Sequence, residues 1–242
     1  MNTQKIALVT GANKGIGKEI ARQLGQRGFT VLAGSRDLER GELAVKELVA
    51  EGLDAAALQL EVTDAASVRA AAEQVHTTYG RLDVLVNNAA IIPEGDDAVS
   101  RIGTDVLRSA FETNVIGLVD VTQAFLPLLR EAEAARIVNL STSLASFAQV
   151  GDPDSEMSTM LTLGYNSSKA AVNMVTVMLA NELRGTGILV NAADPGNCAT
   201  DMGGWEAART PAQGAAVAVG LATLEADGPT GHVYAEEGRL AW

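Results

Sequence analysis

The sequence contains few of the residues on which disulfide, metal and haem chemistry depend. Among its 242 residues there are one cysteine, Cys198, and two histidines, His76 and His232, far apart in the chain. One cysteine cannot form a disulfide within the chain, and two isolated histidines do not have the spacing of a zinc or haem ligand set. We therefore expect no disulfide framework and no bound metal.

Positive charge and long apolar runs are also scarce. The chain has 18 Lys and Arg against 30 Asp and Glu, a formal net charge of −12, so its overall field repels nucleic acid and anionic membrane surfaces. No window reaches the roughly 18 consecutive apolar residues of a membrane span, and the amino terminus does not have the layout of a signal peptide. The expected location is the cytoplasm, with neither nucleic acid nor a membrane as partner.

What the sequence does contain is an alternation of short apolar runs and helix-like segments. Hydrophobic residues make up 47% of the chain, enough for a sizeable core. The runs are continuous rather than alternating with polar residues, which is typical of strands buried on both faces of a parallel sheet. Seven runs fit this description: residues 5–10, 30–34, 55–62, 82–88, 136–141, 188–192 and 231–235. The pattern predicts one α/β domain over residues 1–242, a doubly wound, Rossmann-type, seven-stranded parallel sheet with helices on both faces.

A glycine-rich turn follows the first predicted strand. Residues 10–20 read TGANKGIGKEI, and Gly11, Gly15 and Gly17 lie between the strand and the first helix. Glycine allows the backbone to approach a pyrophosphate closely, and the N-terminus of the helix favours its negative charge. In an open α/β sheet, ligands bind beyond the carboxyl ends of the strands. The turn therefore predicts a dinucleotide site.

The end of the second predicted strand bears on which dinucleotide binds. A site for NAD usually has a carboxylate here to accept from the ribose 2′-OH, whereas the 2′-phosphate of NADP needs cations. Arg36 follows the strand and Lys14 lies in the glycine turn, so both can converge on a phosphate. We interpret Asp37 as pointing away or capping the next helix. The expected cofactor is therefore NADP(H) rather than NAD(H).

A tyrosine and a lysine at helical spacing are candidates for acid–base chemistry. Tyr165 and Lys169 are four residues apart in a helical segment, so they share one face of the helix. A free tyrosine has a pKa of about 10, and a neighbouring ammonium group is expected to lower this pKa by stabilising the phenolate. Three hydroxyl residues, Ser141, Thr142 and Ser143, follow the fifth predicted strand. They either satisfy backbone groups at the strand end or take part in the same chemistry.

Taken in order, these motifs resemble those of the short-chain dehydrogenase/reductases, and within that family the carbonyl-reductase-like members. The matching segments are TGxxxGxG at 10–17, NNAA at 87–90, TNVIG around Asn114, the hydroxyls at 141–143, YNSSK at 165–169 and PGNCATDM at 195–202. The resemblance covers essentially the whole chain. It implies an NADP(H)-dependent oxidoreductase acting on CH–OH groups, which reduces ketones or aldehydes to alcohols reversibly.

The resemblance also implies roles for single residues. Tyr165 would be the acid and base, Lys169 would assist it and hold the ribose hydroxyls, and Asn114 would bind a water that links the lysine to a proton relay. The hydroxyl that orients the substrate carbonyl aligns with Thr142, where relatives have serine, and Ser143 competes with it. The residues implied in cofactor binding are Gly11, Asn13, Lys14, Gly15, Ile16, Gly17, Arg36, Glu61, Val62, Asn88, Ala89, Tyr165, Lys169, Pro195, Gly196 and Thr200, with Glu61 in place of the more usual Asp. The resemblance implies no role for Asp194.

The segment before Tyr165 bears on substrate choice and assembly. Residues 144–164 are predicted to form a longer loop over the cleft mouth, because they show no clear period. Met157, Met160, Leu161 and Trp205 are predicted to line an open apolar pocket, which favours a bulky or aryl ketone as the small-molecule carbonyl substrate. In some carbonyl reductases an insertion at this place covers the surface used for assembly. The chain is accordingly expected to be a monomer or a homo-oligomer.

Two other functions are compatible with part of the pattern. A non-catalytic dinucleotide sensor or scaffold on the same fold would not need the Tyr–Lys pair, which this sequence contains. An enzyme that dehydrates or epimerises a nucleotide sugar is expected to need a longer C-terminal substrate domain. Carbonyl reduction is therefore the leading hypothesis, and the sensor or scaffold is the alternative.

Overall fold

The computed structural model describes residues 4–242, and their strands form one sheet. The strands are β1 Ile6–Val9, β2 Thr30–Ser35, β3 Ala55–Gln59, β4 Val84–Asn87, β5 Arg136–Leu140, β6 Leu189–Ala193, β7 Val233–Ala235 and β8 Gly238–Arg239. Their spatial order is β3-β2-β1-β4-β5-β6-β7-β8. Strands β1 to β7 pair in parallel, so the predicted doubly wound parallel sheet is confirmed for all seven predicted strands.

An eighth strand is the difference from the prediction. Strand β8 pairs antiparallel with β7, Tyr234 opposite Arg239 and Ala235 opposite Gly238. Gly238 has a φ of +122°, a backbone conformation that glycine adopts more readily than other residues. A two-residue strand is too short to produce an apolar run in the sequence, which is why the pattern does not predict it.

The central strands are buried along their whole length. Every residue of β1, β2, β4, β5 and β6 is buried. Both faces of these strands are therefore covered, which explains their continuous apolar sequences.

Helices cover both faces of the sheet, as predicted. They are α1 Gly15–Gln26, α2 Leu38–Ala50, α3 Ala65–Tyr79, α4 Thr104–Phe111, α5 Gly117–Arg130, α6 Phe147–Val150, α7 Leu163–Glu182 and α8 Pro211–Ala222. Side chains of α1, α2 and α8 share one core cluster with the sheet, and side chains of α3, α5 and α7 share the other. Within residues 4–242, no helix is long and apolar enough to cross a bilayer.

The segment predicted as a long loop, residues 144–164, contains short helical turns. Two 3₁₀ turns, Ser143–Ala145 and Glu156–Thr159, flank α6. Ser146, which is buried, donates a hydrogen bond to the carbonyl of Ala241 at 2.5 Å. The segment is thus attached to the carboxyl-terminal residues as well as to the strand before it.

The strand order reverses between β1 and β4. The chain proceeds from β1 outward to β2 and β3, then returns to pair β4 with the other side of β1. The helices that follow β1 and β4 leave in opposite directions at such a point and open a crevice beyond the carboxyl ends of the strands. The fold therefore places a binding cleft next to the glycine turn.

Candidate active site

A cavity of about 690 Å³ opens at the crevice between β1 and β4. All but one of the residues predicted to bind the cofactor line it, and the exception is Gly196. The other lining residues are Ser35, Asp37, Arg40, Leu60, Ala90, Ile91, Ile92, Thr113, Leu140, Ser141, Asp201, Met202 and Trp205. The structure thus brings the glycine turn, the end of β2, the end of β4 and the Tyr–Lys pair into one cleft.

The glycine turn has the backbone geometry that its sequence requires. Gly11 and Gly15 have φ values of +65° and +57°, in the left-handed region that favours glycine. A Cβ atom on Gly17 would lie 2.4 Å from Nδ2 of Asn88 and 2.5 Å from the carbonyl oxygen of Gly11. Gly17 is therefore required by close packing, whereas Gly11 and Gly15 are required by backbone conformation.

Thr10, which precedes the glycines, is a site residue that the sequence reasoning missed. Its hydroxyl accepts hydrogen bonds from the backbone N–H groups of Asn88 and Ala89, at 3.0 and 2.9 Å. The side chain of Asn88 in turn donates to the carbonyl of Thr10 at 2.7 Å. These bonds lock the turn after β1 to the turn after β4. The position of Thr10 at the end of a strand is the signal that points to it.

The amino end of α1 differs from those of α2, α3 and α8, although that of α4 also lacks a side-chain cap. No side chain of the described residues caps α1, and its first turn contains no acidic residue. By contrast, α2, α3 and α8 are capped by Asp37, Asp64 and Thr210. The first N–H groups of a helix need partners outside the helix. At α1 these groups are available to an anion in the cavity.

Besides Lys169, three cations line the cavity: Lys14, Arg36 and Arg40. Asp37 accepts a hydrogen bond from the backbone N–H of Arg40 at 3.1 Å, so of the two alternatives expected for Asp37 the helix cap is the one found. Asp37 nevertheless lines the cavity, and its carboxylate pairs with the Arg40 guanidinium at 3.3 Å. Lys14 forms an ion pair with Asp201, which follows β6 in the chain. Arg40 was not predicted, and its position four residues after Arg36 is the signal that could have identified it.

The lysine of the Tyr–Lys pair is anchored beneath the cleft. Lys169 donates to the backbone carbonyl of Leu140, the last residue of β5, at 2.7 Å. Its Nζ lies 5.8 Å from the centre of the Tyr165 ring. Burial lowers the pKa of Lys169 to about 8, because the apolar surroundings disfavour its charged form.

The pKa of Tyr165 is raised, which differs from the expectation. Burial of the phenol is the main cause, and the negative charge of Asp194 raises the pKa further. The expected lowering of this pKa by Lys169 is not found, because the cost of burying the charged phenolate sets the direction of the shift. Tyr165 is thus held in its protonated form.

The amino end of α7, just before the Tyr–Lys pair, is held by a residue from the loop after β4. Asp96 accepts hydrogen bonds from the backbone N–H groups of Gly164 and Tyr165. Asp96 was not predicted, and no local pattern marks it, because its partners are distant in the sequence.

The three consecutive hydroxyls have different partners. Ser141 lines the cavity, but its hydroxyl donates to Oδ1 of Asn173 at 2.6 Å. Oγ1 of Thr142 accepts from the backbone N–H of Leu144 at 3.2 Å. The Ser143 hydroxyl faces the sulfur of Met157 at 3.8 Å. Neither Thr142 nor Ser143 is among the lining residues, so the choice between them stays a prediction.

Asn114 lies in a π-helical turn, Glu112–Ile116, between α4 and α5. Its buried side chain accepts from the N–H of Ile91 at 2.8 Å and donates to the carbonyl of Ile91 at 2.9 Å. It also donates to the hydroxyl of Ser168 at 3.0 Å. Such turns are frequent at functional sites. Asn114 is outside the cavity lining, and its side chain fixes Ile91, which is part of that lining.

The residues predicted to shape substrate choice are only partly in the cavity wall. Trp205 lines it, and 72% of this side chain is exposed. Met157, Met160 and Leu161 are outside the lining. The apolar lining residues include Ile91, Ile92 and Met202 together with Trp205.

Comparison with known proteins extends these observations over the whole chain. Residues 5–210 match the family described as short chain dehydrogenase. Carbonyl reductase [NADPH] 1 of Mus musculus is 34% identical over 281 aligned residues, covering 100% of this chain and 99% of the relative. A short-chain dehydrogenase of Penicillium roqueforti is 36% identical over 228 residues, covering 91% and 89%. The NADPH-bound carbonyl reductase from chicken fatty liver has a TM-score of 0.86 and 28% identity, covering 100% of both chains.

Proposed function

The chain belongs to the short chain dehydrogenase family, and on that basis we propose that it is an NADP(H)-dependent carbonyl reductase, which converts a ketone or aldehyde to an alcohol reversibly. The observation that carries this proposal is the placement of Tyr165 and Lys169 in the wall of the same cavity as the glycine turn. A dinucleotide site and an acid–base pair thus share one cleft. The names of two relatives similar over their whole length, from mouse and chicken, support the cofactor and the reaction.

The cavity has the features that a phosphorylated dinucleotide requires. The uncapped amino end of α1 offers N–H groups to a diphosphate. Lys14, Arg36 and Arg40 supply positive charge for a 2′-phosphate in a chain whose net charge is −12. These residues fit NADP(H), and we assign the diphosphate to the glycine turn and the 2′-phosphate to the three cations.

When bound, NADPH would supply a hydride to the carbonyl carbon of the substrate. The carbonyl oxygen then gains negative charge and takes the hydroxyl proton of Tyr165. Tyr165 is in the donating form because burial raises its pKa. Lys169, with a pKa of about 8, is largely protonated at pH 7 and stabilises the tyrosinate left behind. In the oxidising direction the tyrosinate takes the alcohol proton back.

Two further residues support this step. Oγ1 of Thr142 accepts from the N–H of Leu144, which leaves the hydroxyl proton of Thr142 to be donated to the substrate carbonyl. Asn114 holds the backbone of Ile91 on both its donor and acceptor sides and so keeps the cavity wall in place. We assign Thr142 as the substrate-orienting hydroxyl and Asn114 as a residue that positions the wall.

The apolar part of the cavity favours a bulky or aryl ketone. Ile92 and Trp205 line it while remaining 40% and 72% exposed. Exposed apolar side chains at the edge of a cleft gain free energy when a large apolar group covers them. A flat aryl group can also stack on the indole of Trp205.

The test is oxidation of NADPH, compared with NADH, by the purified protein against aryl ketones, ketoesters and aldehydes. We expect turnover with NADPH preferred, and loss of turnover by orders of magnitude in Tyr165→Phe with NADPH still bound. Tyr79→Phe removes a hydroxyl outside the cavity and is the matched control. Near-normal turnover in Tyr165→Phe would contradict the mechanism. NADPH binding without turnover of any carbonyl compound would favour the sensor or scaffold instead.

A further inference from the structure

Asp194 is a buried carboxylate whose residue type the family resemblance leaves unexplained. It directly follows β6 and is only 5% exposed. Its backbone N–H donates to the carbonyl of Tyr234 at 2.7 Å, and the preceding carbonyl, that of Ala193, accepts from Ser141 at 2.8 Å. The backbone here is therefore held from both neighbouring strands, so the position of the side chain is well defined.

The two oxygens of Asp194 bind two different turns. Oδ2 accepts from the backbone N–H of Ser143 at 2.8 Å, and Oδ1 accepts from the backbone N–H of Gly196 at 2.8 Å. The first turn follows β5 and carries the hydroxyls of Thr142 and Ser143. The second follows β6 and includes Pro195, which lines the cavity. A short side chain can accept on two oxygens only if it is a carboxylate, because asparagine would place its NH₂ group against one of the two donors.

The carboxylate also lies within electrostatic reach of the acid. Its charge is one of two causes that raise the pKa of Tyr165. The other charged groups around Tyr165 are Lys169 on the same helix and Asp96 at its amino end. Around Asp194 itself, the charge of Glu237 raises the pKa of the carboxyl, while hydrogen bonds from Gly196 and Ser143 lower it. Cys198 is the other titratable side chain that interacts with it.

We propose that Asp194 is a positioning residue for carbonyl reduction: it joins the hydroxyl-bearing turn at 142–143 to the turn at 195–196 and places a negative charge near Tyr165. The reaction step rests on the proposed function, whereas the joining of the two turns does not. The residue acts through Thr142 and Tyr165, by fixing where the substrate oxygen is held and how readily the phenol gives up its proton.

The main variant is Asp194→Asn, and its pH profile separates this role from a purely structural one. Reduction needs both Tyr165 and Lys169 protonated, so kcat falls on the alkaline side as this neighbouring pair loses a proton. Loss of the negative charge makes it easier for either group of the pair to lose its proton, so the alkaline limb should move to lower pH by roughly one unit. Because the turn at 142–143 loses a hydrogen bond, kcat at neutral pH should also fall, by about tenfold or more.

Asp83→Asn is the matched control. Asp83 is also buried, and its carboxylate accepts from the backbone N–H of Ile6 at 2.8 Å, but it precedes β4 at the opposite end of the sheet. This control should lose stability without moving the alkaline limb. An unchanged kcat and pH profile in Asp194→Asn would overturn the proposal, and so would an equal shift in Asp83→Asn.

A second variant covers the case in which Asp194→Asn does not fold. Asp194→Glu keeps the charge but displaces both oxygens, so it should retain the wild-type alkaline limb while kcat falls. A wild-type kcat in Asp194→Glu would overturn the proposal.

Hydrogen exchange tests the bridge without substrate or cofactor. The backbone amides of Ser143 and Gly196 should exchange faster in Asp194→Asn, or in Asp194→Glu if Asp194→Asn does not fold, than in the wild type or in Asp83→Asn. If the wild type reduces no carbonyl compound, the proposed function fails, and this comparison still decides on the bridge. Unchanged exchange at both amides would overturn it.

Discussion

The carboxylate of Asp96 accepts hydrogen bonds from the backbone N–H groups of Gly164 and Tyr165, at 2.7 and 2.8 Å. These groups lie in the first turn of α7, where helix N–H groups have no partner within the helix. The helix dipole also favours an anion at this end. A residue 69 positions away in the sequence therefore holds the start of the helix that carries Tyr165 and Lys169.

Replacing Asp96 with alanine is expected to reduce stability and activity together. Loss of a helix cap costs about 1–2 kcal/mol in the free energy of unfolding, and a frayed first turn would also displace Tyr165. Asp64→Ala is the control, since Asp64 caps α3 by accepting from the N–H of Ala66 at 2.8 Å. Urea unfolding should show similar losses for the two variants, while kcat falls only in Asp96→Ala. Equal kcat values in the two variants would show that the cap does not position the tyrosine.

The catalytic hydroxyl is expected to be that of Thr142. Removing it in Thr142→Val should lower kcat by about 100-fold, a typical cost of losing one donor to a reacting oxygen. Ser143→Ala should stay within a few-fold of the wild type, because its backbone N–H still reaches Asp194 and only a contact with Met157 is lost. Steady-state kinetics on the two variants decide between them, and the reverse order of kcat values would assign the role to Ser143.

Arg36 is expected to set the preference for NADPH. In Arg36→Ala, KM for NADPH should rise by about tenfold or more, because a charge-assisted contact to the 2′-phosphate is lost, while KM for NADH changes little. Arg27→Ala removes an exposed cation outside the cavity and should leave both constants unchanged. Equal effects of Arg36→Ala on KM for both cofactors would show that Arg36 does not bind the 2′-phosphate.

Burial of Lys169 predicts a rise in stability with pH on the alkaline side. The pKa of Lys169 is about 8 in the folded protein, compared with 10.5 for an ordinary lysine side chain. Between these values the unfolded chain binds a proton that the folded protein does not, so raising the pH favours folding. At about 1.4 kcal/mol per pH unit, the gain between pH 8 and 10.5 is about 3 kcal/mol. It should be fully absent below pH 8.

The measurement is urea unfolding of the wild type and Lys169→Met at several pH values from 7 to 10. The free energy of unfolding of the wild type should rise relative to that of Lys169→Met as the pH passes 8. Parallel curves for the two proteins would mean that Lys169 keeps an ordinary pKa in the folded state.

Local sequence was sufficient for the parallel sheet and for much of the cleft. Strands buried on both faces must be apolar along their length, so β1 to β7 can be recognised in the sequence as continuous apolar runs. Gly11, Gly15 and Gly17 are visible because a tight strand-to-helix turn restricts residue type. Tyr165 and Lys169 are visible because four residues make about one helical turn.

Only the tertiary structure decided which distant residues hold the site together. Asp96 and Asp194 accept from N–H groups 68 and 51 positions away, and neither lies in a motif. Thr10 joins two turns that are adjacent only because β1 pairs with β4. Periodicity along a chain reports which face of an element is buried, but hydrogen bonds between loops depend on the packing of the whole sheet. For this reason the sequence alone could place the acid Tyr165 in its helix. Only the fold could identify Asp96, which holds the start of that helix, and Asp194, which raises the pKa of the phenol.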